Sequence, residues 1–126
     1  MKIQPDLISA PSISGYGQGW VSVGGEKLST SVVISSQGER FDWDCARFED
    51  LTAAHFEKLA TLGAELIIFG SGDRLRFPQA AWIRPLILQQ TGVETMDTQA
   101  ACRTYNILAG EGRRVVVALL MEANPT

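Results

Sequence analysis

Histidine, cysteine and lysine are scarce in this chain of 126 residues, and each scarcity removes a class of chemistry. His55 is the one histidine, and Cys45 and Cys102 are the two cysteines. Their separation rules out a Cys-x-x-Cys redox pair, and a single histidine beside them falls short of a zinc ligand set. No metal or cofactor is expected. Both thiols are read as reduced, which points to the cytoplasm. No window nears the roughly 20 apolar residues of a membrane span. The start, Met1 to Asp6, has no apolar stretch of the kind a secretory signal needs. Membrane insertion and secretion are therefore not expected. Cationic excess is missing as well: 11 Lys and Arg against 14 Asp and Glu give a net charge of -3. Without a continuous positive field, nucleic acid is not an expected partner.

What is present suits a folded core. Hydrophobic residues make up 45% and charged residues 20%, far from the composition of disorder. The length fits one domain spanning 1–126, with no internal repeat, low-complexity tract or linker. The charges are unevenly distributed. Lys2, Lys27 and Lys58 all lie in the first half, whereas from Glu65 onward every cation is an arginine. Arginine favours fixed planar pairing with carboxylates and phosphates, so a recognition surface is sought in the second half.

Residues 1 to 44 read as β-structure. Gly15, Gly17 and Gly19 punctuate the run before Trp20-Val21-Ser22-Val23, which alternates apolar and polar residues. Gly24-Gly25 suits a hairpin turn into a strand through Ser31-Val32-Val33-Ile34. A second reversal at Gln37-Gly38 leads to Arg40-Phe41-Asp42-Trp43, completing an antiparallel meander in which Trp43, Trp20 and Tyr16 are grouped as a packing cluster.

From Thr52 the period changes. Thr52 caps a helix of about eleven residues carrying Phe56, Leu59 and Ala60 on one face, and Gly63 ends it. The unbroken apolar run Leu66-Ile67-Ile68-Phe69 suits a strand covered on both faces and central in its sheet. The next helix lies within Pro78 to Gln90, where Pro85 means either a kink or a regular part beginning near Arg84; the second is slightly favoured. A short strand Val93 to Met96, a helix from about Gln99 to Ala109 with capping oxygens from Asp97-Thr98, and a buried strand Arg114 to Leu120 follow. The alternation β, α, β, α, β implies parallel pairing in a three-layer sandwich, with the meander appended.

Open α/β sheets collect ligands beyond the carboxyl ends of their strands. Two segments answer to that position: Gly70-Ser71-Gly72-Asp73 after the central strand, and Asp97-Thr98 at the start of the last helix. Backbone N–H groups and a helix N-terminus could approach an anion there, with Arg103 holding a carboxylate or phosphate and Asn106 beside it. An ordinary tight turn is the stronger reading, because the glycines lack the full phosphate-loop pattern and Asp73 and Asp97 repel an anion. Cys102 reads as a packed thiol and Tyr105 as a core or interface aromatic. His55 is expected on a solvent-facing helix position, and Asp42, Asp44, Glu49 and Asp50 on a solvated edge. No catalytic set is complete.

The second half also carries a resemblance. Glu65 to Asp73, Val93 to Thr98, Ala100 to Leu108 and Glu111 to Val115, with Gly15-Tyr16-Gly17 and Trp43 more loosely, resemble a family of small domains of unknown function. Its members include the mitochondrial respiratory complex I assembly factor 3 and an adipogenesis-associated protein. The resemblance implies an α/β fold: a three-layer α/β/α core with a mixed sheet plus an additional β-layer, here the N-terminal antiparallel β-meander. It implies no enzymatic activity and transfers no catalytic residue. It points to another protein as the partner, with a homo-oligomer left open. The alternative from the residues themselves is a small-molecule enzyme or sensor with an anion pocket near Ser71, Asp97, Thr98 and Arg103.

Overall fold

The structure, a computed structural model, describes residues 10–122, so the expectations for residues 1–9, Met1 to Asp6 included, lie outside the described residues. Strands β1 (Ile13–Gly17), β2 (Trp20–Val23) and β3 (Glu26–Leu28) form a three-stranded antiparallel sheet. Gly24 and Gly25, at φ +58° and +85°, make the hairpin turn between β2 and β3.

This small sheet is the expected meander, but its membership differs. The turn at Gly24-Gly25 leads to the three residues of β3, and the strand expected next belongs to another sheet. Strand β4 (Val32–Ser35) pairs antiparallel with β5 (Arg40–Asp42) on one side and with β8 (Val115–Leu119) on the other. The physical reason is visible in the residues. Trp20 to Val23 alternates in burial as a one-sided strand does, whereas all four residues of β4 are buried, which requires cover on both faces. The expected grouping of Trp43 with Trp20 and Tyr16 divides accordingly. Trp43 packs edge-on against Phe56 and Phe69, while Trp20 and Tyr16 stay with the small sheet.

The main sheet has the order β5-β4-β8-β6-β7, with β6 (Leu66–Gly70) parallel to both β7 (Gly92–Met96) and β8. Helices α1 (Ala53–Ala60) and α2 (Ala80–Leu88) cover one face, burying Phe56, Leu59, Trp82 and Leu86 against Ile67, Phe69, Val116 and Ala118. Helix α3 (Thr98–Gly110) and the small sheet cover the other, where Ala101, Cys102, Tyr105 and Val21 meet Ile68, Val117 and Ile34. The result is a three-layer α/β/α core.

Two local corrections follow from tertiary forces. Helix α2 runs from Ala80 to Leu88 with Pro85 inside it, rather than starting near Arg84. An internal proline costs about 3 kcal/mol. Burying Trp82 and Leu86 together returns roughly 3–6 kcal/mol, and the Ala81 carbonyl that Pro85 cannot serve lies on the exposed side of the helix. Helix α1 has eight residues, and its His55 is half-buried instead of facing solvent. Its Nδ1 accepts from Thr52 N–H at 3.1 Å, which leaves Nε2–H to donate to the Asp44 carbonyl at 2.7 Å. Histidine thus takes the place that Glu or Gln usually fills in a capping box.

Candidate functional site

Parallel pairing brings the carboxyl ends of three strands to one rim, with Gly70 of β6 level with Met96 of β7 and Leu119 of β8. The segments leaving these ends are Ser71-Gly72-Asp73, Asp97-Thr98 and Met121-Glu122. Ser71 and Thr98 therefore come to neighbouring points and bond directly through the chain beside them. Thr98 N–H donates to the Gly72 carbonyl at 2.9 Å, and Gly72 N–H donates to Thr98 Oγ1 at 2.8 Å. Thr98 Oγ1 in turn donates to the Leu120 carbonyl at 3.0 Å, locking all three strand ends together. Glycine at position 70 suits this close approach. A β-carbon there would stand 3.1 Å from the Ala101 side chain, the Leu119 side chain and the Thr98 backbone.

The donors of Ser71, Gly72 and Thr98 are committed within the rim. Ser71 N–H donates to the Met96 carbonyl at 2.9 Å. Its hydroxyl donates to the Arg74 carbonyl at 2.7 Å and accepts from Arg76 N–H at 2.9 Å. Asp97 Oδ1 caps α3 by accepting from Ala100 N–H at 2.9 Å. Asp73 accepts from the Gln18 amide at 3.2 Å. The crevice bounded by Gly17, Asp73, Thr98 and Glu122 measures about 10 Å³, room for one water at most.

Arg103 and Asn106 stand apart from the rim, further along α3. Asn106 clamps the free edge of β1, accepting from Ile13 N–H at 2.9 Å and donating to the Ile13 carbonyl at 2.8 Å. Arg103 is exposed, with its guanidinium 5.9 Å from the Tyr16 ring and one N–H 3.3 Å from the Tyr16 hydroxyl. Of the eight residues singled out from sequence, six share the rim and two serve the contact between α3 and the small sheet.

The reactive side chains are similarly engaged. Burial pushes the Cys102 thiol up to about 12, and the nearby Arg103 only partly offsets it. A thiol so held stays protonated and is a poor nucleophile. Cys102 and His55 also lie on opposite faces of the main sheet. Burial raises the Tyr105 hydroxyl, which donates to the Pro11 carbonyl at 2.7 Å.

Two features escaped the sequence. Arg76 joins the rim to the loop before α1: its guanidinium donates to the Ser71 carbonyl at 2.6 Å, pairs with Glu122 and lies 4.7 Å over the Phe48 ring. Glu122 also accepts from Phe48 N–H at 2.8 Å. Burial works to raise the Glu122 carboxyl, but these hydrogen bonds and the Arg76 charge outweigh it and hold the group below its ordinary value. No spacing signal announces a pair 46 residues apart. The second feature is exposed apolar surface: Phe77, Ile87 and Leu88 are 69%, 56% and 76% exposed. A signal for it existed in α2, where Arg84 is the one charged residue of nine, too apolar for a helix with one buried side. Two open clefts of about 310 and 510 Å³ flank the Asp42-Trp43-Asp44 ridge, on the side of Lys58 and of Ser29 respectively.

These features define a class: a three-layer α/β/α domain whose sheet rim is closed by its own hydrogen bonds and whose small β-sheet is strapped to the last helix. Residues 13–120 match a family described as protein of unknown function (DUF498/DUF598), and the chain belongs to that family. It is 32% identical over 120 residues to the bovine (Bos taurus) NADH dehydrogenase [ubiquinone] 1 alpha subcomplex assembly factor 3, a match covering 94% of this chain and 65% of that protein. The chain thus spans just under two thirds of that relative's length. The fold is that of a crystal structure of a Bordetella parapertussis protein, at 39% identity and TM-score 0.85 over 90% of this chain and 98% of the other. A solution structure from Bordetella pertussis, described as an Mth938-like domain, matches at 31% identity and TM-score 0.81, covering 98% and 92% of the two chains.

Proposed function

We propose that this chain is a non-enzymatic protein-interaction module of the assembly-factor kind, working in the cytoplasm. The observation that carries the reading is the closed rim. Where an α/β enzyme of this layout holds its ligand, Thr98, Gly72 and Leu120 are bonded to one another and Ser71 is engaged by Met96, Arg74 and Arg76. Apolar side chains stand in solvent elsewhere, and surface of that kind marks contacts with other macromolecules. The likeness to a named assembly factor supports the same reading. Cys45 and Cys102, both free, suit a reducing compartment.

The test is isolation of the tagged full chain from its own cells at physiological salt, beside a thermal-shift screen against metabolites. A reproducible protein partner in near-stoichiometric yield is expected, with no metabolite raising the midpoint. A ligand at a hundred times its dissociation constant would add about 2.7 kcal/mol. A clear shift of that size together with an empty pull-down overturns the reading in favour of a small-molecule protein.

A further inference from the structure

We propose that the exposed face of α2 is the docking surface of this module, and that its occupant is an amphipathic helix of a partner protein carrying carboxylates along its apolar side. The inference rests on the interaction reading above and specifies where and with what the contact is made.

The face is defined by spacing and exposure together. Ala80, Arg84 and Leu88 fall at i, i+4 and i+8, one of the ridges along which helices pack, and Ala81 and Ile87 flank them. All five are exposed, and Phe77 stands in solvent just before the helix begins. The opposite side of α2 is already occupied by the core through Trp82 and Leu86. At about 1.5 Å per residue the ridge runs roughly 12 Å, a little over two turns of contact with one partner helix. The two alanines at its N-terminal end permit close backbone approach, while Ile87, Leu88 and Phe77 supply side chains for the partner to bury.

Charge identifies the occupant. The segment from Arg74 to Gln90 contains no Asp or Glu in a chain whose net charge is -3. Arg84 sits in the middle of the apolar face and makes no ion pair among the described residues. A partner that covers this face desolvates a guanidinium, which is costly unless a carboxylate meets it, and arginine presents a fork suited to that acceptor. The α2 of a second copy does not provide one, since it holds no Asp or Glu. Twofold packing of α2 on α2 brings Arg84 against its own counterpart. An anionic lipid surface offers negative charge everywhere, but repels a protein of this net sign on approach. A partner helix needs only a local carboxylate among apolar residues.

The experiment places a photocrosslinking residue at position 88, at position 103 on α3 and at position 111 on the far side in three otherwise native full-length chains. These are irradiated in lysate, and the adduct at position 88 is mapped to its peptide. The expected result is an adduct with a protein segment that is helical and carboxylate-bearing, formed from position 88 and not from position 111. Arg84→Glu in the same chain should cut its yield by roughly tenfold or more, as a like-charge contact does, and a partner carboxylate changed to lysine should restore it. Leu88→Ser, which leaves the core untouched, should weaken binding by a similar factor with an unchanged melting temperature. Partner adducts arising from position 103 alone would move the contact to α3, overturning this inference while leaving the interaction reading standing. No partner adduct from any position would overturn both. A dimer in sedimentation that Leu88→Ser dissociates would assign the face to a second copy. Leu88-dependent pelleting with phosphatidylcholine–phosphatidylglycerol vesicles would assign it to a membrane. Either result overturns the proposal.

Discussion

Glu122 carries more than its place near the end of the last strand suggests. Its carboxylate accepts from Phe48 N–H and pairs with Arg76, which itself holds the Ser71 carbonyl, so one ionised group ties the loop before α1, the segment after β6 and the end of β8. The native carboxyl is held below its ordinary value of 4.5. A group depressed in the folded state adds stability above its unfolded value and loses it as pH falls through the folded value. The wild type is thus expected to weaken in acid below about pH 4.5. Glu122→Gln keeps the shape and removes the charge, so it should cost about 1 kcal/mol at pH 7, a charged hydrogen bond discounted for partial exposure. It should also flatten the acid slope. Urea unfolding at pH 7 and pH 4 compares the two; equal acid slopes would show that Glu122 is not the group responsible.

At the scale of elements, the small sheet is held to α3 by side chains rather than by strand pairing. Asn106 presents an amide to the open edge of β1 as a neighbouring strand would, satisfying both Ile13 N–H and Ile13 C=O. Tyr105 ties Pro11, two residues before Ile13, to the same helix. Asn106→Ala leaves two backbone groups without these partners, and at roughly 1 kcal/mol per hydrogen bond the expected loss is about 2 kcal/mol. Hydrogen exchange should show faster exchange at Ile13 while β6 and β8 keep their protection. The closed rim depends on an element-level fit as well. Gly70→Ala puts a methyl group against the Thr98 backbone at 3.1 Å, which neither helix nor strand can yield without moving. A loss of roughly 1–3 kcal/mol is expected, as for an overpacked core, read as a lower urea midpoint.

On the scale of the whole molecule, the main sheet is shared by both cores through β4, β6 and β8, and β8 shows it most fully. Its five residues are all buried, with Val116 and Ala118 facing α1 and α2 and with Val115, Val117 and Leu119 facing α3 and the small sheet. Loss of one face removes the support of the other, which predicts a single cooperative transition for the chain as one domain. The aromatic signal in near-ultraviolet circular dichroism, from Trp43 and Trp82 on one side and Tyr105 on the other, should melt together with the far-ultraviolet signal. Two separated midpoints would divide the chain into independent units.

Local chemistry was legible in the residues. The apolar runs at Leu66 to Phe69 and Val115 to Leu119 mark buried strands, Gly24-Gly25 marks a hairpin turn, and Asp97 caps the last helix, because each depends on nearby chain and on side-chain period alone. Alternation of strands and helices was enough to bring Ser71 and Thr98 to one rim, since parallel strands end together. Tertiary structure alone decided which sheet takes β4, whether α2 continues through Pro85, and that Arg76 meets Glu122. It also decided that the rim's donors face one another instead of an empty site. Each of these turns on pairing or burial between residues distant in the chain, where contact energies of a few kcal/mol override local preference and leave no trace in spacing.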